Sequence, residues 1–178
     1  MVQTFTKERT KICEDLMLPE IRALLDISLN QKIERSREVI KEALERYPKI
    51  GLGFSGGTDS LVLMHLVLPL KPDIPCIFVD TQHEFPETYE FVNKIIIGWD
   101  IKDYQKVRAH RVRTEEFKQK FGYKTPEFTV AYDGYHKIAP LMKAINDRGF
   151  DAFMVGLRGV EHEERAREVF FSPRQNVN

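Results

Sequence analysis

Cysteine is scarce: Cys13 and Cys76 are the only two, too few for a disulfide framework or a four-thiolate metal site. Cys76 lies in the apolar run Cys76-Ile77-Phe78-Val79, the setting of a small buried hydrophobe. Neither sign of charge is in excess, since 27 Lys and Arg balance 27 Asp and Glu. With no global field to gather nucleic acid or an anionic membrane, only a local cation cluster could serve one small anion. Long hydrophobic runs are missing too. The longest, residues 61–70, is interrupted by His65 and Pro69, whereas roughly 20 apolar residues are needed to span a bilayer. The first residues mix Lys7, Glu8, Arg9, Lys11, Glu14 and Asp15, unlike a secretory leader, so a cytoplasmic protein is expected. The five histidines form no ligand cluster, and neither a zinc nor an iron–sulfur site is expected. Repeats, low-complexity tracts and Gly/Ser linkers are absent, and 178 residues suit a single domain.

What is present is an alternation of helical and extended patterns. Across residues 18–47, Ile21, Leu24, Leu25, Ile33, Val39, Ile40, Ala43 and Leu44 recur at near-helical spacing until Pro48 stops them. Residues 1–48 thus read as an N-terminal helical segment of a single domain. Strands are predicted at 50–54, 76–79 and 152–155, with a strand plus loop over 101–112. Helices are predicted at 61–68, from Pro86 through Ile95, at 139–145 with Gly149 in the left-handed cap position, and at 161–168. Short apolar strands separated by helices predict an α/β fold, a doubly wound, mostly parallel sheet with helices on both faces. Ligands of such sheets bind at the carboxyl ends of the strands, where loops 55–60, 80–87 and 156–165 fall.

The first of these loops is Ser55-Gly56-Gly57-Thr58-Asp59-Ser60. Its glycines permit a sharp bend that turns backbone N–H groups toward a ligand. The helix start behind it adds unpaired donors and partial positive charge, a ready anion site. Ser55, Thr58 and Ser60 carry hydroxyl donors. Asp59, an acid in a place suited to anions, is expected to cap the helix or meet a magnesium ion. An ordinary capped turn is the plain alternative. Gly51-Leu52-Gly53-Phe54-Ser55-Gly56 formally matches the dinucleotide fingerprint. Pro48, however, leaves only Lys49 and Ile50 ahead of Gly51. The strand must therefore include Gly51 and Gly53, which moves the turn to Gly56-Gly57. No Gly-Lys-Ser/Thr follows, so a Walker loop is excluded as well.

The segment Gly53-Phe54-Ser55-Gly56-Gly57-Thr58-Asp59-Ser60 resembles the pyrophosphate loop of the PP-loop ATP pyrophosphatase superfamily. Phe78-Val79-Asp80-Thr81-Gln82-His83-Glu84-Phe85-Pro86-Glu87-Thr88-Tyr89 resembles the branch that holds phosphoadenosine phosphosulfate reductase, the sulfate adenylyltransferase small subunit and certain FAD synthetases. A third block agrees, Gly156-Leu157-Arg158-Gly159-Val160-Glu161-His162-Glu163-Glu164-Arg165-Ala166 with Phe171-Ser172-Pro173-Arg174. The resemblance implies an adenine nucleotide alpha-hydrolase-like fold. It places Ser55, Gly56, Gly57, Thr58, Asp59 and Ser60 around phosphates, Asp80 and Thr81 beside adenosine, and Gly156 and Arg174 in the same nucleotide site. Arg158 and Arg165 are the implied catalytic arginines, Arg165 with the alternative of an exposed pair to Glu161. Glu87 reads as a first-turn helix acid.

The leading expectation is adenylyl transfer from ATP with release of pyrophosphate, to sulfate or FMN, with Mg2+ held in part by Asp59. A second is a sulfonucleotide (PAPS or APS) reductase, in which a cysteine attacks the sulfur. Relatives of that kind carry the cysteine in a C-terminal Glu-Cys-Gly-Leu-His-like tail, and no such segment lies between Arg174 and Asn178. A third is a non-catalytic nucleotide-binding subunit. The expected ligand is an adenine nucleotide, with room for a partner subunit or a homo-oligomer, and neither nucleic acid nor membrane.

Overall fold

Short continuous apolar runs bounded by turn residues fit the pleated geometry of a strand buried on both faces. In the computed structural model, which describes residues 10–161 and 163–173, these runs become β1 (Ile50–Gly53) and β2 (Cys76–Val79). They pair in parallel, Leu52 opposite Cys76. Leu52, Cys76, Ile77 and Phe78 are all buried, as strands covered on both faces must be. β3 (Tyr104–Val107) and β4 (Ala152–Met154) add to the outside, also parallel, giving the order β3-β2-β1-β4. Lys106 marks β3 as an edge, where a charge discourages further pairing.

Two crossovers walk one way across the sheet, through α4 (Thr58–Val67) from β1 to β2 and through α5 (Pro86–Gly98) from β2 to β3. The third returns past both strands to the far side of β1, through α6 (Thr114–Phe121), α7 (Pro126–Asp133) and α8 (Ala139–Arg148). Right-handed crossovers running in opposite directions fall on opposite faces, so the sheet is doubly wound, as expected. The reversal of direction at β1 opens a crevice between the ends of β1 and β4. Met64 and Val67 of α4 and Val92 of α5 are buried, as is Ala144 of α8.

The stretch 113–138 carries no element in the sequence reading, yet it forms α6, α7 and a π-helical turn, Gly134–Ile138, that runs into α8. Pro140 is the cause: it has no N–H for the His136 carbonyl, and the ladder closes instead with the Ala139 N–H on the Gly134 carbonyl. Gly149 ends α8 in the left-handed conformation, φ 62°, as the sequence predicts. The helix expected over 161–168 is shorter, α9 (Glu163–Ala166) behind a 3-10 turn at Gly159–Glu161.

The chain divides into two compact units. Leu44–Gly156 contains the whole sheet. The other unit joins the described residues up to Ala43 to those from Leu157 onward, a grouping the sequence reading did not foresee. In it, residues 10–16 form α1 and Pro19–Arg22 form α2, and Cys13 and Met17 pack with Ala166, flanked by Leu16, Ile21 and Val160. The helical pattern of 18–47 is interrupted because Ser28 and Gln31 form a reciprocal capping box that restarts the chain as α3 (Leu29–Arg46). Among the described residues, no helix is long and apolar enough to cross a membrane.

Candidate functional site

The turn between β1 and α4 falls at Gly56-Gly57, while Gly51 and Gly53 lie inside β1. That disposes of the dinucleotide fingerprint. A side chain at Gly51 would meet the Phe150 ring at 2.6 Å, so this glycine serves strand packing. Gly56 has φ 78°, a conformation that favours glycine. Gly57 then opens α4 as its N-cap without any side-chain cap. Asp59 therefore does not cap the helix; it stands at the second helical position, partly exposed.

Within the loop the serines divide their work. Ser60 is buried, and its hydroxyl donates to the Gly57 carbonyl at 2.9 Å while accepting the Ser55 amide at 3.2 Å. Ser55 Oγ accepts the Gly57 amide at 3.3 Å and lies 3.1 Å from Ser60 Oγ. Ser60 is thus the clasp of the bend, with Ser55, Gly57 and Thr58 exposed around it. Gly156, just past β4, closes the crevice from the other side. A β-carbon there would sit 2.6 Å from the Asp59 carbonyl carbon and oxygen and 2.8 Å from the Ser60 nitrogen, so no side chain fits. The end of β4 touches the first turn of α4 at the switch point.

Asp80, at the end of β2, is an anchor inside the fold. Its carboxylate accepts the Tyr89 hydroxyl at 2.6 Å and the Gln82 amide at 2.8 Å, and Lys106 stands 3.6 Å away. Burial pushes the carboxyl up, but the Tyr89 hydroxyl, the Gln82 amide and the Lys106 ammonium outweigh it and hold the group below 3.8. Tyr89 is pushed up to about 12 by burial and by Asp80, so it remains the donor. Gln82 takes φ 67°, and its side chain donates to the Ala109 carbonyl at 3.2 Å, tying the loop after β2 to the loop after β3. Thr81 donates to Glu84 at 2.7 Å. Glu87 sits in the first turn of α5.

Arg158 and Arg165 belong to the other unit, where both pair with Glu161, at 2.9 Å and 2.6 Å. Burial raises the Glu161 pKa, but hydrogen bonding and charge from the two guanidinium groups bring it below its ordinary value. The pair with Glu161 foreseen for Arg165 is present but half-buried, and Arg158 shares it. Arg174 lies outside the described residues. Among the described residues, no group of three or more His, Cys, Asp and Glu side chains is placed to hold a metal ion.

Lys106, Tyr132 and His136 escaped the sequence reading, while Tyr89, Gln82 and His83 fell within a quoted block without their contacts being foreseen. Lys106 lies on another strand and His136 on the far crossover, so no local spacing joins them to Asp80. Tyr89 was within the quoted block, nine residues from Asp80, yet only the fold turns α5 back onto the strand end.

A parallel sheet in this order, with a glycine bend feeding an uncapped helix at the switch point, makes an α/β domain of the kind found in the PP-loop superfamily. The phosphoadenosine phosphosulfate reductase domain model matches residues 49–178, and the chain belongs to that family. It is 32% identical over 139 residues to a phosphoadenosine 5'-phosphosulfate reductase of Alkalilimnicola ehrlichii, covering 75% of this chain and 56% of that protein. Its identity to the reductase of the same name from Xylella fastidiosa is 31% over 157 residues, covering 85% and 66%. A crystal structure of phosphoadenylyl-sulfate (PAPS) reductase from Candida auris, a phosphate complex, superimposes with a TM-score of 0.53 at 25% identity, covering 75% of this chain and 63% of that one. The chain spans less than two thirds of the length of these relatives. Their names favour the sulfonucleotide reading over adenylyl transfer.

Proposed function

We propose that this chain is the sulfonucleotide-binding part of a reductase acting on an adenosine phosphosulfate. The observation that carries this reading is the exposed, uncapped start of α4 behind the Gly56 bend, at the switch point of the sheet. Backbone amides there, with the Ser55 and Thr58 hydroxyls, suit the phosphosulfate and the charge that gathers on the departing phosphate when the sulfur–oxygen bond breaks. Thr81 and the Asp80-anchored loop flank the nucleoside. In this reading a thiolate attacks the sulfur. Neither cysteine of the chain suits that role: both are buried, and the Cys76 thiol is pushed up to about 12 by burial and then by Asp103. The attacking thiol therefore comes from outside these 178 residues. The magnesium ion expected at Asp59 belongs to the ATP reading, where phosphate oxygens and water would complete its shell.

The test is calorimetry with adenosine 5'-phosphosulfate and adenosine 3',5'-bisphosphate, beside a pyrophosphate assay with ATP, magnesium and sulfate or FMN. Binding of at least one of the two nucleotides without pyrophosphate release is the expected result. Pyrophosphate release from a protein that binds neither nucleotide would return the chain to the adenylyl transferases.

A further inference from the structure

His136 is completely buried, and among the described residues its Nδ1 is the one buried side-chain nitrogen or oxygen without a hydrogen-bond partner. Its Nε2 accepts the Arg113 amide at 3.3 Å, which puts the proton of the neutral ring on Nδ1. Packing alone does not account for an orphaned donor, because a phenylalanine fills similar volume without that cost. The backbone here is unusual as well. His136 sits in the π turn enforced by Pro140, and single π turns gather at functional positions.

The ring's neighbours give the reason. Tyr132 lies against it at 4.8 Å between centroids and 32° between planes, and His83 meets it edge-on at 5.7 Å and 77°. Both neighbours end on Thr81. His83 Nδ1 is 3.1 Å from the Thr81 carbonyl oxygen, and the Thr81 side chain offsets part of the upward push that burial gives the Tyr132 hydroxyl. On its other side, His83 Nε2 meets the buried Thr114 hydroxyl at 3.0 Å. Tyr135 and Phe117 close the remaining sides of His136 edge-to-face.

We propose that His136 is a positioning residue for the nucleotide site: wedged against His83 and Tyr132 while holding the Arg113 amide, it fixes Thr81 at the end of β2. An imidazole suits the place because it joins a flat aromatic face to an in-plane acceptor; phenylalanine lacks the acceptor and glutamine lacks the face. The inference rests on the nucleotide reading above, but part of its test does not.

His136→Gln keeps an acceptor for Arg113 and removes the ring, while His83→Gln alters an exposed side chain and spares the core. Each is expected to weaken binding of adenosine 3',5'-bisphosphate about tenfold, the scale of one well-placed hydrogen bond gone slack. If His136 acts through His83, the double variant loses far less than the product of the single losses. In ligand-free protein, His136→Gln should also shift the Thr81 amide and His83 ring nitrogen resonances. Unchanged resonances in a folded His136→Gln protein, or losses that simply multiply, overturn the inference. If the unaltered chain binds neither nucleotide, the functional reading falls, and the ligand-free resonances alone decide the role of His136.

Discussion

The loops that follow β1 and β2 end on the same edge of the sheet but are built by opposite means. Residues 55–60 are shaped by backbone: a positive φ at Gly56, an uncapped helix start, and a single buried hydroxyl, Ser60, holding the bend. Residues 80–84 are shaped by side chains. A buried carboxylate gathers Tyr89, Gln82 and Lys106, and Thr81 is met by His83 and Tyr132. The first leaves its helix start without a side-chain cap, as the proposed anion site requires; the second spends its polar groups on itself and presents a shape. An anion needs charge and N–H groups, whereas a nucleoside needs a wall.

The most damaging way to break this pairing is Gly156→Val. With the Asp59 backbone 2.6 Å from the new β-carbon, strand end and helix start must part. A loss of about 3 kcal/mol, together with loss of nucleotide binding, is expected in thermal melts and calorimetry. An unchanged melting temperature would show that the contact is dispensable. Asp80→Ala comes next. Removing the shared acceptor strands the Tyr89 hydroxyl and the Lys106 ammonium, at about 2 kcal/mol by urea denaturation. A difference within error would make the anchor decorative.

Acid separates the two sides of the second loop. The Asp80 pKa is depressed in the fold, so its contribution is present above the unfolded-state value near 3.8 and lost as pH falls through the lower folded value. The His136 pKa is also held below its ordinary 6.5, by burial first, then by His83 and Arg113. The unfolded chain therefore takes up its proton earlier, and stability declines as pH drops below 6.5. His136→Gln should abolish the upper decline and leave the lower. Retention of both would assign the upper step to another group.

Ser60→Ala should be milder, about 1 kcal/mol, with binding weakened because the bend loosens. Smallest of all, Arg158→Ala should move stability by less than about 0.5 kcal/mol, since its pair with Glu161 is exposed. A larger change would mean that this arginine supports the fold.

How much could be read beforehand follows the same division. β1, β2 and the Gly56-Gly57 bend were legible because a short apolar run and a glycine pair state their geometry locally. The anchoring of Asp80 was not, because Lys106 and Tyr89 reach it only after β3 and α5 have been laid beside β2. The π turn was hidden for another reason: Pro140 reads as a plain first-turn proline unless the helix before it is recognised, and 113–138 has no strong period. The joining of residues from Leu157 onward to the N-terminal helices depends on Met17, Cys13 and Ala166 meeting across most of the chain.

The concealment of both native thiols gives the chain a practical property. Cys13 and Cys76 are shut away at 0% and 1% exposure, so a thiol-directed dye should find nothing to modify while the fold is closed. A cysteine introduced at exposed Thr58 or Phe85 would be the sole reactive handle, with no native residue removed first. Any slow labelling of the unaltered protein would then time how often its interior comes open.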